Sequence, residues 1–191
     1  MRAVEYKIYG APPVNEREIM RYAGAHSPTQ SDLQLLSSVL AELEGHLTFR
    51  TARAVVECEE LTAMLGERSR TLERYLEPCR AVVLMAATVG LELDRLILKH
   101  SRLSPSRALM LQAVGAERVE SLCDALEADI RIEHGRCAPR ISCGYGDIPL
   151  TLQRALVREL ELGRRLGISL SEGMLMTPSK SVTAIVGILK D

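Results

Sequence analysis

The chain has 191 residues, 47% of them hydrophobic, and a formal net charge of −1 from 24 basic and 25 acidic side chains. This composition suits one globular domain with an ordinary core and argues against disorder. The basic residues form no block, and the chain has one Phe, five Tyr and no Trp, so nucleic acid is not an expected partner.

The apolar runs are short and the cysteines form no pair motif. The longest runs, 81–91 and 182–189, are far shorter than a membrane span, and the N-terminus has no signal-peptide core. The five cysteines are odd in number and lack CxxC spacing, which predicts reduced thiols. We therefore expect a soluble, cytoplasmic protein that does not associate with a membrane.

Strand and helix patterns alternate through the first half of the chain. We predict a strand over residues 3–9, a helix over 15–24, a helix from 27 to 45 and a strand over 47–59. Ser27-Pro28 supplies a capping hydroxyl followed by proline in the first turn of the second helix. Gly24 and Gly45 are expected to end the two helices.

The second half predicts one long helix and a terminal pair of strands. In chain order we predict a helix over 69–78, a strand over 79–90, a helix over 91–100, a helix from Ser104-Pro105 to about Glu133 that Gly135 ends, and an amphipathic helix from about Leu150 to Leu166. The expected core face of the longest helix carries Leu111, Val114, Val119, Leu122, Leu126 and Ile130. Residues 169–176 and 181–189 flank Thr177-Pro178-Ser179-Lys180 and are predicted to pair as a hairpin.

This order of elements predicts an α+β fold. We expect a single domain over residues 1–191, with an antiparallel sheet, helices packed around it and a C-terminal β-hairpin. Residues 1–25 are a candidate N-terminal appendage.

Several common chemistries have no motif in the chain. It contains no HExxH, no pair of CxxC motifs and no P-loop, so neither a dedicated zinc site nor a nucleotide-phosphate loop is expected. Gly144-Tyr145-Gly146 begins like a dinucleotide fingerprint, but Pro149 stands where its third glycine would be. The D-x-H-x-x-G signature by which a common class of cobalamin domains supplies its axial histidine is also missing. The four histidines are scattered, with no nucleophile paired to them, so hydrolysis is not expected.

The segment Arg140-Ile-Ser-Cys-Gly-Tyr-Gly-Asp147 combines a cation, two glycines and an aromatic ring. Arg140, in an apolar and small context, either caps a structural carboxylate or forks onto the carboxylate of a ligand. Gly144 and Gly146 indicate either a turn that needs positive φ or backbone exposed to a ligand, with Tyr145 as one wall.

Glu120 lies in the long helix, on a face shared with Ala116 and Asp124, one turn after Gly115. Glycine inside a helix costs about 1 kcal/mol against alanine, and something usually packs closely where it occurs. A charged helix residue is usually solvated, but Glu120 and Arg140 would together suit an amino acid, and Tyr145 a soft cation. S-adenosylmethionine carries a carboxylate, an ammonium and a sulfonium.

Four segments resemble the activation domain of cobalamin-dependent methionine synthase, and more closely the small free-standing proteins related to it. Residues 140–153 are similar to that family's R-x-x-x-G-Y segment and the helix after it. Residues 170–182 resemble its T-E-S-x-x-M-x-P-x-x-S-V segment, and 79–97 and 113–130 resemble the free-standing members. The matching positions of the second segment are Glu172, Met176, Pro178, Ser181 and Val182.

The resemblance implies a ligand and a chemistry. In that family the domain presents S-adenosylmethionine to a cobalamin that has fallen to the inert cob(II) state, while a flavodoxin-type or ferredoxin-type protein delivers one electron. Arg140 is then expected to bind the methionine carboxylate, and Glu120 the amino group. Ser142 and Gly144 would supply backbone contacts, and Tyr145 would line the methyl-transfer face. None of these residues would be a catalytic acid or base, because the protein's contribution is positioning.

The resemblance also implies a partner. Because the chain lacks a corrinoid signature, the cobalamin must be carried by methionine synthase or another corrinoid protein, which we expect to dock on the mouth formed by residues 142–147 and the final hairpin. The family often has proline where Cys143 stands, and its multidomain members have a further C-terminal segment whose tyrosine helps the site. An acidic residue from near that domain's N-terminus also has no secure counterpart here, so a more open pocket or weaker binding is expected.

Two other functions stay open at this point. One is a non-catalytic docking or chaperone subunit for a corrinoid methyltransferase that has lost ligand binding. The other is a small enzyme of unrelated chemistry, which the missing acid–base constellation disfavours. Cys143 could contact cobalt or a redox partner, or be a passive thiol.

Overall fold

The computed structural model describes residues 3–190, which form a single α+β domain. The elements in chain order are β1 (Glu5–Tyr9), α1 (Glu16–Tyr22), α2 (Gln30–Leu43), β2 (Phe49–Val56), α3 (Cys58–Leu65), α4 (Arg70–Leu76), β3 (Cys79–Thr88), α5 (Glu92–Leu103), α6 (Pro105–His134), β4 (Ile141–Ser142), α7 (Leu152–Glu159), α8 (Leu162–Arg165), β5 (Ser169–Leu170), β6 (Met176–Thr177) and β7 (Ser181–Leu189). The predicted fold class is confirmed.

One antiparallel sheet organises the molecule. Its five strands lie in the order β1-β2-β3-β7-β4, so the last long strand of the chain sits between β3 and the short edge strand β4. The β3–β7 pair is the longest, with Thr88 opposite Ser181 at one end and Cys79 opposite Leu189 at the other. β4 pairs with β7 through Ile141 opposite Ile185 and Ser142 opposite Ala184.

Helices cover both faces of this sheet. Because side chains alternate along a strand, Val83 and Met85 of β3 pack into one core while Val82 and Leu84 pack into the other. The first core contains side chains of α1, α2, α5 and α6, and we call this face the α6 side. The second contains side chains of α3, α4, α7 and α8, and we call it the α7 side. β3 is apolar on both faces because each face is covered by helices.

The long helix α6 begins and ends where the sequence predicts. Pro105 occupies its first turn, and Gly135, with a φ of 81°, follows its last residue. The six residues of the predicted core face, Leu111, Val114, Val119, Leu122, Leu126 and Ile130, are all buried. α6 therefore provides a continuous wall along the sheet.

Gly115 allows two side chains to approach α6 closely. A Cβ at this position would lie 2.3 Å from Leu93 Cδ2 and 2.9 Å from Lys180 Cγ. The helix can pack against α5 and against the start of β7 because Gly115 has no side chain. This contact accounts for a glycine at a helix-interior position.

Polar contacts pack the N-terminal segment against α6. The buried Arg118 guanidinium donates from Nη1 to the Pro12 carbonyl (2.6 Å) and from Nη2 to the Pro13 carbonyl (2.7 Å). Glu117, its ion-pair partner, accepts from the Asn15 backbone N–H at 2.9 Å. The helix that follows, α1, places its apolar side chains in the α6-side core.

The hairpin lies earlier in the chain than the sequence predicts, because residues 169–176 do not pair with residues 181–189. β5 pairs with β6, as Ser169 opposite Thr177 and Leu170 opposite Met176, so the hairpin is formed within residues 169–177. Residues 177–180 lead from this hairpin into β7, which pairs with β3 and β4. β7 is almost wholly buried because it lies inside the sheet, where it pairs with a strand on each side.

Three local differences from the predicted elements have physical causes. Thr29, with Asp32, forms the capping box of α2, so this helix begins two residues beyond Ser27-Pro28. α3 was not predicted because only one of its side chains is buried. The helix predicted over 150–166 is broken at Glu161, whose φ is 49°. The break lets Leu160 and Leu162, which would lie about 160° apart around a continuous helix, enter the same core.

Candidate functional site

The edge strand β4 directs its polar neighbours toward α6. Ile141 packs into the α7-side core, so the alternation of the strand places Arg140 and Ser142 on the α6 side. Arg140 contacts α6 there, and Ser142 is exposed at the end of the strand. The strand pairing thus fixes which helix Arg140 meets.

Arg140 is bound by three carboxylates that project from successive turns of α6. Its Nη2 donates to Glu120 Oε2 at 2.6 Å, and its Nη1 donates to Asp124 Oδ1 at 2.7 Å and to Glu127. Arg131 holds the other oxygen of Glu127 at 3.0 Å. With three carboxylates and two guanidiniums, this cluster has a formal charge of −1.

The three carboxylates differ in exposure. The Glu127 side chain is only 11% exposed, whereas Glu120 is 43% and Asp124 is 70% exposed. Burial of Arg140 lowers the pKa of its guanidinium, but the hydrogen bonds to the carboxylates raise this pKa above its ordinary value overall. Arg140 therefore remains a cation at every accessible pH.

The structure brings the two principal predicted residues, Glu120 and Arg140, into direct contact. Of the two interpretations that the sequence left open for Arg140, it shows the binding of structural carboxylates. A role for either residue in binding a ligand stays a prediction.

Ser142, Gly144 and Tyr145 lie together in one turn beside Arg140. The Tyr145 N–H donates to the Ser142 carbonyl at 3.2 Å, and Gly144, at the third position, has a φ of 88°. A turn with positive φ at its third position favours glycine there. The Tyr145 side chain is 63% exposed, so its ring is available to a ligand or a partner.

Asp147 anchors this turn to α4. Its carboxylate accepts hydrogen bonds from Ser69 Oγ (2.6 Å) and from the backbone N–H groups of Arg70 and Thr71 (both 2.9 Å). The hydrogen bonds from Ser69 and Thr71 hold the pKa of Asp147 well below its ordinary value. The sequence contained no signal for this contact, because its partners lie more than 70 residues apart.

The contact between this turn and α4 also requires a glycine at position 146. Its φ is 61°, and a Cβ at this position would lie 2.5 Å from Thr71 Oγ1. Both glycines of the segment thus have structural reasons, a turn for Gly144 and close approach of α4 for Gly146.

Cys143 faces the α7-side core. Burial raises the pKa of its thiol to about 11, so the thiol is protonated at neutral pH. A protonated, packed thiol is a weak nucleophile and a weak metal ligand. This environment favours a passive role.

Other parts of the molecule offer space but little chemistry. A mostly apolar cavity of about 670 Å³ lies between β1, the end of α2 and α6, and none of the five predicted site residues lines it. Within residues 3–190 no group of three or more His, Cys, Asp or Glu side chains could hold a metal ion. No helix in the described part of the chain is long and apolar enough to cross a membrane.

Comparisons with known proteins relate the chain by its fold. No protein-family profile and no curated protein matches the sequence. The chain is similar to the crystal structure of the MetH reactivation domain bound to AdoHcy (S-adenosylhomocysteine), with a TM-score of 0.71. The alignment covers 100% of this chain and 79% of that one, at 15% sequence identity. At this identity the similarity establishes the fold.

Proposed function

We propose that the chain binds S-adenosylmethionine and supports the reductive remethylation of cob(II)alamin on a separate corrinoid protein, methionine synthase being the first candidate. The observation that carries this proposal is the contact between Arg140 and Glu120 at the edge of the sheet. The similarity to a domain crystallised with AdoHcy supports the same class of ligand. A cytoplasmic location with the corrinoid partner is part of the proposal.

The ligand would replace the Arg140–Glu120 ion pair. An α-amino acid inserted between the two side chains would place its carboxylate on the guanidinium and its ammonium on Glu120. Glu120 is free to make this exchange, because Arg140 is its one hydrogen-bond partner within residues 3–190 and its side chain is partly exposed. Glu127, which is nearly buried and also bound by Arg131, would stay on Arg140 and keep it in place.

The charge of the cluster favours the methyl donor. S-adenosylmethionine carries one carboxylate, one ammonium and one sulfonium, a net charge of +1, whereas its demethylated product is a neutral zwitterion. A cluster of formal charge −1 attracts the donor more than the product. This difference would help release the product after the methyl group has left.

The remaining predicted residues would position the methyl group. The backbone at Ser142 and Gly144 would contact the methionine moiety, and the exposed Tyr145 ring would lie against the sulfonium. A flavodoxin-type or ferredoxin-type protein would deliver one electron to the partner's cob(II)alamin, and the resulting cob(I)alamin would take the methyl group as the nucleophile. The contribution of this chain is therefore binding and orientation.

The test is a reconstitution followed by absorption spectroscopy. The chain is mixed with a cob(II)alamin-loaded methionine synthase that lacks its own activation domain, a low-potential electron donor and S-adenosylmethionine. We expect the methylcobalamin spectrum to appear only when all components are present, and Glu120→Gln to slow its appearance about tenfold or more. Methylation that proceeds equally well without this chain contradicts the proposal.

One observation favours a second candidate function, that of a docking subunit without a ligand. Arg140 is already satisfied by three carboxylates, which is the arrangement expected if its role is structural. Such a subunit would capture a corrinoid protein equally well with and without S-adenosylmethionine, and Glu120→Gln would not change that capture. A pull-down of methionine synthase with both forms of the chain separates the two functions.

A further inference from the structure

Lys180 is a half-buried cation on the α6 side of the sheet. It directly precedes β7, and its stem lies against α6 at Gly115, where a Cβ would be 2.9 Å from Lys180 Cγ and 3.1 Å from Cε. Its backbone carbonyl accepts from the Val89 N–H at 3.2 Å, which fixes the residue at the end of the sheet. Within residues 3–190 its ammonium has no hydrogen-bond or ion-pair partner.

Hydrogen bonds fix the backbone next to Lys180. The preceding residue, Ser179, donates from its backbone N–H to Asp94 Oδ2 at 2.8 Å and from its hydroxyl to the same carboxylate. Burial lowers the pKa of Lys180, and the charge of Asp94 partly offsets this effect. The stem of Lys180 is thus packed in a structured part of the domain, and no group in the described part of the chain accepts a hydrogen bond from its ammonium.

Lys180 and Arg140 lie on the same side of the sheet, along the same helix. Alternate residues of β7 face α6, among them Ala184, which is opposite Ser142. Arg140, two residues before Ser142, is level with Val186, and Lys180 is six residues before Val186, a distance of about 20 Å along a strand. On α6, Gly115 lies five residues before Glu120, about 7 to 8 Å along the helix. An extended ligand held at Arg140 and Glu120 can therefore run toward Lys180.

We propose that Lys180 binds the nucleoside half of S-adenosylmethionine, by donating hydrogen bonds from its ammonium to a ribose hydroxyl or an adenine ring nitrogen. This inference rests on the proposed function. Arg140 and Glu120 would bind the two charged groups of the amino acid half, so a ligand that extends from them along α6 leaves its nucleoside as the part that can reach Lys180. The nucleoside carries several hydrogen-bond acceptors and no positive charge, which makes it the suitable partner for an ammonium.

The alternative is that Lys180 only covers apolar surface. Long lysine side chains often bury their stems and keep the ammonium in water, and the contact with Gly115 and Leu93 fits this behaviour. Lys180→Met separates the two roles, because it retains an unbranched apolar stem and removes the charge. Lys99→Met, at an exposed lysine of α5, is the matched control for loss of one positive charge.

The experiment compares two sulfonium ligands by isothermal titration. S-adenosylmethionine contains the nucleoside, whereas S-methylmethionine has the same carboxylate, ammonium and sulfonium without it. We expect Lys180→Met to weaken binding of S-adenosylmethionine about tenfold or more, the range for a hydrogen bond to a charged group, and to leave S-methylmethionine within about twofold. Lys99→Met should bind both ligands like the wild type, and melting temperatures should be unchanged.

Three outcomes overturn the inference. If Lys180→Met binds S-adenosylmethionine like the wild type, the ammonium does not contact the nucleoside. If both ligands weaken equally, Lys180 acts on the amino acid half or on the fold. If the folded wild-type chain binds neither ligand, the proposed function fails and this inference fails with it.

Discussion

The three carboxylates around Arg140 differ in exposure, and the two that are more exposed, Glu120 and Asp124, allow a prediction at the scale of single residues. Glu120 and Asp124 bind the same guanidinium from neighbouring turns of α6, at 2.6 and 2.7 Å, and both are partly exposed. The proposal assigns the ligand ammonium to Glu120 alone. Asp124→Asn is therefore the control for Glu120→Gln, because each substitution removes one negative charge that is paired with Arg140.

We predict that Glu120→Gln weakens S-adenosylmethionine binding about tenfold or more, since an ammonium–carboxylate hydrogen bond contributes about 1.5–3 kcal/mol. Asp124→Asn should change the dissociation constant by about threefold at most, through the long-range charge alone. Equilibrium dialysis with radiolabelled ligand measures both. Equal effects of the two substitutions would mean that the cluster acts only through its charge.

At the scale of elements, the turn that carries Tyr145 depends on a charged anchor to α4. Asp147 has a lowered pKa in the folded chain, so its stabilising effect is present above its unfolded pKa, about 3.9, and is lost as the pH falls through the folded value. We predict that Asp147→Asn melts at a lower temperature than the wild type at neutral pH. The difference should narrow as the pH is lowered below about 4, because the carboxylate of the unfolded wild-type chain then binds a proton while that of the folded chain still remains ionised. A difference that is constant from pH 7 to pH 3 would exclude an electrostatic anchor.

A second element-scale prediction concerns the contact of α6 with α5 and β7. Gly115→Ala should gain about 1 kcal/mol of helix propensity but force Leu93 and Lys180 apart, at a cost of about 1–3 kcal/mol for overpacking. We expect the melting temperature to fall by a few degrees in thermal unfolding followed by circular dichroism. Gly163→Ala in α8 is the control, because the nearest atom to its new Cβ is at 3.8 Å and its melting temperature should stay the same or rise. A higher melting temperature for Gly115→Ala than for the wild type would show that Leu93 and Lys180 move aside without loss of stability.

The elements with long, uninterrupted patterns are the ones that the sequence predicts well. The apolar run of β3 and the six-residue core face of α6 match the structure because each is repeated along the element. The break at Glu161 and the pairing of β5 with β6 were not predicted, because both depend on which distant surface the segment meets. The same holds for the site. Arg140 and Glu120, which the sequence analysis singled out, are in contact in the structure, and their role in binding a ligand stays a prediction. The anchor from Asp147 to Ser69 could not be predicted, because it joins segments far apart in the chain.

At the scale of the whole molecule, three parts of the domain meet at the candidate site. β4 and β7 fix Arg140, α6 supplies the carboxylates, and α4 holds the turn, so a ligand bound there would contact three separately packed parts of the domain. Ligand binding to the folded state alone should therefore stabilise the entire domain.

We predict that S-adenosylmethionine at about 100 times its dissociation constant adds about 2.7 kcal/mol to the free energy of unfolding, which for a chain of this size raises the melting temperature by about 5–10 °C. Differential scanning fluorimetry gives this shift directly. Glu120→Gln, at the same ligand concentration, should show about half the shift or less. A shift of the same size in both proteins would place the ligand elsewhere.

The most direct measurement is a crystal structure of the chain grown with S-adenosylmethionine. The proposal predicts the ligand carboxylate on Arg140 and its ammonium on Glu120, with the direct contact between these two side chains, 2.6 Å in the free chain, opened. Glu127 should remain on Arg140. A structure in which the ligand is bound while Arg140 and Glu120 remain in direct contact would contradict the account.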